Sequence, residues 1–401
     1  MSFIEELSWR GLIQQSTDSE LGAKMRAEPF TLYVGVDPSA DSMHVGHLLP
    51  ILGLARAQRA GHKPIAVVGG ATGMIGDPSF KAEERKLLAR EDIDRNVAGL
   101  RKQIERFLDF DRGARLVDNY EWFSEYRFLD FLRDIGKHFS VNMMLNKDSV
   151  RSRLEDRDQG ISYTEFSYML VQSYDFLVLH DRYGCRLQMG GSDQWGNITA
   201  GTDLIRRMRG KEAFGITLPL ILTASGQKIG KTEKGAVWLD PARTSPYEFF
   251  QYFMRVEDKD AIRFLRFYTF LDQATIAALE EQVRVAPEKR EAQRVLAREV
   301  TTLVHGAEEA TKAEEAARAL FEHKAIDPSQ LPTTSLPGPV ALVDALVASV
   351  LCKSKSDARR AIEQGGVYVD EQRVSDVAHT LTAGAYVVQR GKRDKHFVKV
   401  E

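Results

Sequence analysis

Two histidines three residues apart, His44 and His47, stand in the segment PSADSMHVGH (Pro38–His47), where an apolar strand-like run gives way to a helical pattern. Side chains at that spacing project from one helix face. A helix N-terminus carrying two ring N–H donors suits an anion, a nucleotide phosphate above all. Gly46 between them leaves the backbone open to a flat ring or a phosphate. No Cys or acidic pair joins the histidines at a zinc-type spacing, which disfavours a metal site; a capping or packing pair is the structural alternative.

Four further segments carry chemistry-bearing side chains. GGATGMIGDP (Gly69–Pro78) is a glycine-rich loop that does not fit the dinucleotide pattern G-x-G-x-x-G. Its Asp77 suits a cationic substrate group or, equally, stabilises a turn. Lys81 and Arg85 follow four apart, able to reach phosphates or to lie on a solvated helix face. In SYTEFSYMLVQSYDFL, Tyr168, Gln172 and Asp175 fall at i, i+4 and i+7 on one face of an otherwise apolar helix. A polar stripe in such a place needs partners, and a polar small molecule would supply them. MGGSDQWGN (Met189–Asn197) joins a strand to a helix, and Asp193 there suits a ribose or an N-cap. KIGKT (Lys228–Thr232) invites a phosphate-loop reading, but Gly226 and Gly230 are separated by three residues where that loop needs four. What remains is a glycine-containing loop with two lysines, suited to clamping a polyphosphate.

The elements that must position these groups alternate strand and helix over the first 240 residues. Thr31–Val36, Ile65–Gly69 and Arg186–Met189 read as strands, and LPLIL before KIGKT reads as another. Val45–Gln58, Glu83–Leu108, Tyr126–Phe139, Ser162–Leu179 and Gln194–Met208 read as helices. This alternation predicts an α/β layered domain with a mainly parallel sheet, whose ligands sit at the carboxyl ends of the strands. Ser245 to Glu322 reads as helical throughout. Pro328, Pro332, Pro337 and Pro339 then mark a linker, and the last sixty residues read as two helices followed by strands.

The 401 residues allow two or three domains. With 55 basic against 57 acidic residues, the net charge of −2 points to no particular partner. The final 62 residues, however, hold ten basic and eight acidic side chains. Two separate cysteines exclude a disulfide framework and fit a reducing cytoplasm. The first residues lack a signal-peptide pattern, and the longest nearly apolar stretch, Val340–Cys352, is too short for a bilayer span, so no membrane role is expected.

Together these segments resemble the class I aminoacyl-tRNA synthetases, and among them the bacterial-type tyrosyl-tRNA synthetases. PSADSMHVGH is similar to the family's HIGH signature and KIGKT to its KMSKS signature, with Gly and Thr in place of the two serines. SYTEFSYMLVQSYDF and GGSDQWGNITAG resemble segments characteristic of the tyrosine enzyme, and SKSDARRAIEQGGVYVD resembles a small RNA-binding fold. The resemblance implies a Rossmann-like nucleotide-binding catalytic domain (1–242), an all-helical anticodon-side domain (243–325), a proline-rich linker (326–339) and a small α+β RNA-binding domain (340–401). It implies that Tyr33 and Asp175 bond the phenolic hydroxyl of L-tyrosine, that Asp77, Tyr168 and Gln172 hold its ammonium group, and that Gln194 lies near its carboxyl. ATP would be held by Gly35, Asp37, Ser39, His44, Gly46, His47, Gly191, Asp193, Lys228 and Lys231. His44, His47, Lys228, Lys231 and Thr232 would stabilise the reacting phosphates. Lys81 and Arg85 would help from a mobile loop, in which Phe80 stands where the family often has a small residue. Mg²⁺ would accompany ATP, no tightly bound protein metal is implied, and the partners are tRNA(Tyr) and a second copy of the chain, meeting through Phe123–Met144. A tryptophan-specific relative and a non-catalytic RNA-binding protein on the same scaffold are the alternatives. Tyr33 paired with Asp175 argues against the first, since indole offers a donor but no acceptor. The intact phosphate-handling residues argue against the second.

Overall fold

The computed structural model describes residues 1–79, 88–147, 150–151, 154, 160–223, 226, 229–232, 235–321, 331–391 and 394–401. They form two compact units. One comprises Met1–Gly230, Trp238–Asp240 and Ile262–Ala277; the other comprises Lys231–Val237, Pro241–Ala261 and Ala278–Glu401.

The first unit is built on a six-stranded sheet of β1 (Gln15–Ser16), β2 (Thr31–Val36), β3 (Lys63–Val68), β4 (Arg115–Asp118), β5 (Cys185–Gly191) and β6 (Phe214–Leu218). Their spatial order is β1-β6-β5-β2-β3-β4, all parallel except β1 against β6. From β2 the chain runs outward through β3 and β4, then returns to place β5 on the other side of β2. That reversal makes the carboxyl ends of β2 and β5 the switch point where α/β sheets bind ligands. β3 is buried at five of its six residues, as a strand covered on both faces requires.

Local signals set the helices around this sheet. Ser162 caps the Tyr163–Tyr183 helix by accepting from the Glu165 N–H, and Gly184, in the left-handed region at φ 63°, ends it. The helix buries Met169, Leu170, Phe176, Leu177 and Leu179 against Tyr33, Ile65, Trp122 and Ile205. Each such side chain contributes roughly 1.5–3 kcal/mol by leaving water.

Several sequence expectations change here. LPLIL is not a strand: β6 ends at Leu218, because Pro219 has no N–H to give a sheet ladder. The expected Glu83–Leu108 helix is described only as Arg90–Ile104, with residues 80–87 outside the described set. The expected Tyr126–Phe139 helix is Phe128–Asp134 followed by a tighter turn at Gly136–His138. Residues 262–277, expected within the helical domain, group with the first unit. Two arginines of the first unit bond this segment. Arg10 donates to the carbonyls of Arg266, Thr269 and Leu271, and the fully buried Arg56 donates to those of Phe267 and Thr269.

In the second unit a short hairpin, β7 (Lys231–Thr232) with β8 (Gly235–Ala236), precedes helices Pro246–Met254, Glu291–His305 and Ala307–Phe321, which pack together. Ser245 and Glu248 close a capping box on the first of these helices, with Pro246 in its first turn. The C-terminal part has β9 (Thr333–Leu336), β10 (Val340–Ala341), β11 (Val367–Val369), β12 (Gln372–Val374), β13 (Thr380–Leu381), β14 (Gly384–Arg390) and β15 (Asp394–Val400). Five of them form a sheet in the order β12-β11-β14-β15-β9. Helices Leu342–Ala348 and Lys355–Glu363 close its core with Leu346, Ile362, Val367, Val388 and Val398. Thr333–Leu336, expected in the linker, is an edge strand parallel to β15, and Pro332 before it, which has no N–H to give, accepts from the Phe397 N–H of β15 at 2.8 Å.

Candidate active site

His44 and His47 cap their own helix reciprocally. His44 Nδ1 accepts from the Gly46 N–H at 3.0 Å, and His47 Nδ1 accepts from the His44 N–H at 3.1 Å. The rings lie against each other with centroids 3.9 Å apart and planes tilted by 40°. An accepting Nδ1 in a neutral imidazole puts the hydrogen on Nε2. Capping and phosphate donation, alternatives in the sequence, are therefore compatible: one nitrogen of each ring ties the turn and the other is a donor. A Cβ on Gly46 would lie 2.8 Å from His44 Cε1, so that glycine makes room for the histidine ring rather than directly for a ligand.

The second signature meets the first through its backbone. Gly230, at φ 76°, lies so close that a Cβ there would be 3.2 Å from Val45 and 3.3 Å from the Gly46 nitrogen. This explains glycine where the family signature carries serine. Leu239 N–H donates to the Met43 carbonyl at 2.9 Å, closing the same turn from the other side. Lys228, Lys81 and Arg85 lie outside the described residues, and Lys231 and Thr232 are described only as the backbone of β7.

At the floor of the switch point a continuous chain of hydrogen bonds links β2, β4 and the Tyr163–Tyr183 helix. Tyr168 donates its hydroxyl to Asp37 Oδ2 at 2.9 Å, and Thr72 donates to Asp37 Oδ1 at 2.7 Å. Asn119 Nδ2 reaches Thr72 Oγ1 at 3.0 Å and Asp175 Oδ2 at 3.1 Å, while Trp122 Nε1 donates to Asp175 Oδ1 at 2.9 Å. Burial pushes the Asp175 carboxyl up to about 8, against the lowering effect of Asn119 and Trp122, with Asp37 and Asp118 adding like-charge repulsion. Beside it the Tyr33 hydroxyl is buried and has no hydrogen-bond partner among the described residues. Burial, then the neighbouring Asp175, raises its pKa well above the usual value.

A second chain crosses the other wall. Gln194 Nε2 donates to Asp77 Oδ2 at 2.6 Å and to Asp193 Oδ2 at 3.2 Å; Asn197 Nδ2 reaches Gln172 Oε1 at 3.1 Å and Gln194 Oε1 at 3.3 Å. Asp77, Gln172, Asp193 and Gln194 are thus brought into one network. Tyr168, grouped with Asp77 and Gln172 in the sequence, bonds Asp37 instead, although Asp77 is near enough to raise its pKa after burial and Asp37. Gly35 and Ser39 are exposed at the end of β2 and in the turn after it, where the Ser39 N–H donates to the Asp37 carbonyl. Gly191 ends β5. Sequence reasoning missed Thr72, Asn119, Trp122 and Asn197. The signal for Asn119 was a short apolar run ending in Asp-Asn, RLVDN, which is β4 and its first loop residue.

Residues 25–322 match the family of class I tRNA synthetases (W and Y), and residues 322–398 match the tyrosine–tRNA ligase SYY-like C-terminal domain. The tyrosine–tRNA ligase of Roseiflexus castenholzii is 49% identical, covering 100% of this chain and 99% of that relative. The chain belongs to the tyrosine–tRNA ligase family. A second family member, from Geobacillus stearothermophilus, is 48% identical over 100% of both chains. A solved C-terminally truncated mitochondrial tyrosyl-tRNA synthetase of Coccidioides posadasii superposes with a TM-score of 0.69 at 32% identity, covering 79% of this chain and 91% of that one. The tyrosine–tRNA ligase assignment makes this an aminoacyl-tRNA ligase with the class I fold, and the tryptophan-specific alternative falls away. Among the described residues of this tyrosine–tRNA ligase, no helix is long and apolar enough to cross a membrane.

Proposed function

We propose that this tyrosine–tRNA ligase reads its amino acid through Tyr33 and Asp175, which hydrogen-bond the substrate's phenolic hydroxyl. One observation carries the reading: a buried, unpartnered Tyr33 hydroxyl beside a carboxylate whose two oxygens are each already held by an N–H. A phenol that donates to Asp175 and accepts from Tyr33 satisfies both. The like charges of Asp37 and Asp77 beside Tyr168 favour a cation nearby, which suits an α-ammonium group held by Asp77 and Gln172, with Tyr168 orienting Asp37. Gln194 attends the carboxylate, and Gly35, Asp37, Ser39, Gly191 and Asp193 attend the adenosine.

In the reaction the tyrosine carboxylate attacks the α-phosphorus of ATP and pyrophosphate leaves, giving tyrosyl-adenylate; the tRNA terminal hydroxyl then attacks the tyrosyl carbonyl, loses its proton, and AMP leaves as the anhydride bond breaks. The carboxylate is already a nucleophile, so no protein base is required for activation. The Nε2–H groups of His44 and His47, with Lys228, Lys231 and Thr232, offset charge on the transferring and leaving phosphates, and Lys81 and Arg85 assist. Mg²⁺ enters on the triphosphate: imidazole N–H donors suit phosphate oxygens, whereas a hard cation prefers oxygen ligands. The working division is a catalytic domain that takes in residues 262–277, a helical domain in the rest of 243–325, and an RNA-binding domain that begins with the Thr333–Leu336 strand. A homodimer joined near Phe128, Leu129 and Val141, which are exposed apolar side chains, fits the same reading. Two buried free thiols, Cys185 and Cys352, fit the cytoplasm.

The test is ATP–pyrophosphate exchange with each of the twenty amino acids in parallel. Exchange with tyrosine alone is the expected result; exchange with tryptophan, or with none, overturns the reading.

A further inference from the structure

A cavity of about 430 Å³ opens in the C-terminal part of the second unit, lined by Asp357, Arg360, Gln364, Gly366, Arg390 and Gly391. Asp357, Arg360 and Gln364 fall at i, i+3 and i+7 on the Lys355–Glu363 helix and its end, so one helix face forms a wall. The opposite wall is the end of β14. There the Arg390 guanidinium is locked flat: Nη1 and Nη2 each donate to an Asp357 oxygen at 2.9 Å, and Nη1 also reaches the Leu351 carbonyl at 2.8 Å. The floor is backbone, with the Gly391 N–H donating to the Gly366 carbonyl at 2.7 Å. The Lys353 N–H and then Arg390 hold the Asp357 carboxyl below its usual pKa, so it balances Arg390 as an anion. Arg360, exposed at the rim, adds a positive charge to that neutral pair.

We propose that this cavity holds one unstacked nucleotide of the bound tRNA: its base on the Arg390 plane, its phosphate at Arg360 and its base edge at the Gln364 amide. The volume is that of a small-ligand site. A guanidinium plane fixed by a bidentate carboxylate is a stacking surface of the kind single-stranded RNA uses, and an amide is both donor and acceptor to a base edge. A regular duplex hides its base faces and cannot use such a plane. The proposal rests on the tRNA-ligase reading and names where part of that RNA is read.

Filter binding of the full chain tests it, with in-vitro transcribed tRNA(Tyr) and a fully paired RNA duplex of equal length as probes, across a salt series. Arg390→Lys should weaken tRNA binding about 5- to 100-fold and duplex binding less than about twofold. Arg360→Ala should reduce the salt slope for tRNA by about 1. Gln364→Ala changes an exposed helix position and folds regardless, so it carries the test if Arg390→Lys does not fold; about fivefold weaker tRNA binding is expected. Equal losses on both probes, or no loss on tRNA, would overturn the proposal. Tyrosine-dependent exchange by the wild-type chain reports the underlying reading separately. Its absence removes that reading, whereas intact exchange with unaltered tRNA binding in the variants removes only the nucleotide pocket.

Discussion

His44 caps its helix, and the donor role toward phosphate that we propose for it can be separated from capping by one substitution. Serine accepts the N-cap hydrogen bond nearly as well as an imidazole nitrogen, but it cannot reach a phosphate from that position. His44→Ser should therefore keep the unfolding midpoint within a few degrees while lowering the rate of tyrosine activation about 10²–10³-fold. Parallel losses of stability and rate would assign His44 to capping alone. Asp175 gives a pH signature. Its folded pKa of about 8 lies above the ordinary carboxylate value of about 3.9, because burial penalises the charged form. The stability it lends is complete below about pH 4 and is lost as pH rises through 8. Asp175→Asn, always neutral, should gain stability relative to the wild type between pH 5 and 9 in urea unfolding; a difference that stays flat across that range contradicts the assignment. At this scale much was legible: residue type and spacing alone single out His44, His47, Asp77, Gln172 and Asp175. Asn119 left only the loop signal of RLVDN, and Trp122 none, since nothing near either announces that the Asp175 carboxyl, 56 and 53 residues away, needs two N–H donors.

Elements were legible wherever a single period ruled. β2, the Val45–Arg59 helix and the Tyr163–Tyr183 helix fall within a few residues of where hydrophobic patterning puts them. β6 was missed because a short strand buried on both faces has no alternation to read, and β4, an edge strand of four residues with only Val117 buried, is too short to show a period. The return of residues 262–277 to the first unit was also hidden, because it depends on Arg10 and Arg56, more than two hundred residues upstream in sequence. Arg56 is wholly buried, with Glu6 Oε1 3.5 Å from its Nε and two carbonyls on Nη2. Arg56→Met keeps an unbranched apolar stem but strips the Phe267 carbonyl of this donor and half of the cover from Glu6. A loss of about 3 kcal/mol or more is expected in equilibrium urea unfolding. A loss under about 1 kcal/mol would mean that this segment is held by apolar packing and not by the arginines.

For the whole molecule, composition proved the least informative level. A net charge of −2 gives no sign of an RNA substrate, because ten basic residues in the last sixty-two are averaged against an acidic remainder. Assembly is likewise a property of surface arrangement. Phe128 and Leu129 stand 64% and 75% exposed on the first unit, an apolar pair that suits the dimer interface we propose. Leu129→Glu should convert a dimer to a monomer in sedimentation equilibrium; an unchanged mass would move the interface elsewhere. We propose that what makes the chain a tyrosine enzyme, and not merely a class I synthetase, is the recognition of one hydroxyl by Tyr33 and Asp175. A site built to bond a hydroxyl rejects the analogue lacking it by about 10⁴–10⁵, tyrosine enzymes of this family being the known reference case. The direct measurement is the ratio of kcat/KM for tyrosine-dependent over phenylalanine-dependent pyrophosphate exchange, in the wild type and in Asp175→Ala. The ratio should be large in the wild type and collapse by at least about 10²-fold in the variant, with the KM for ATP unmoved. An Asp175→Ala enzyme that still discriminates as the wild type does would contradict the account at its centre.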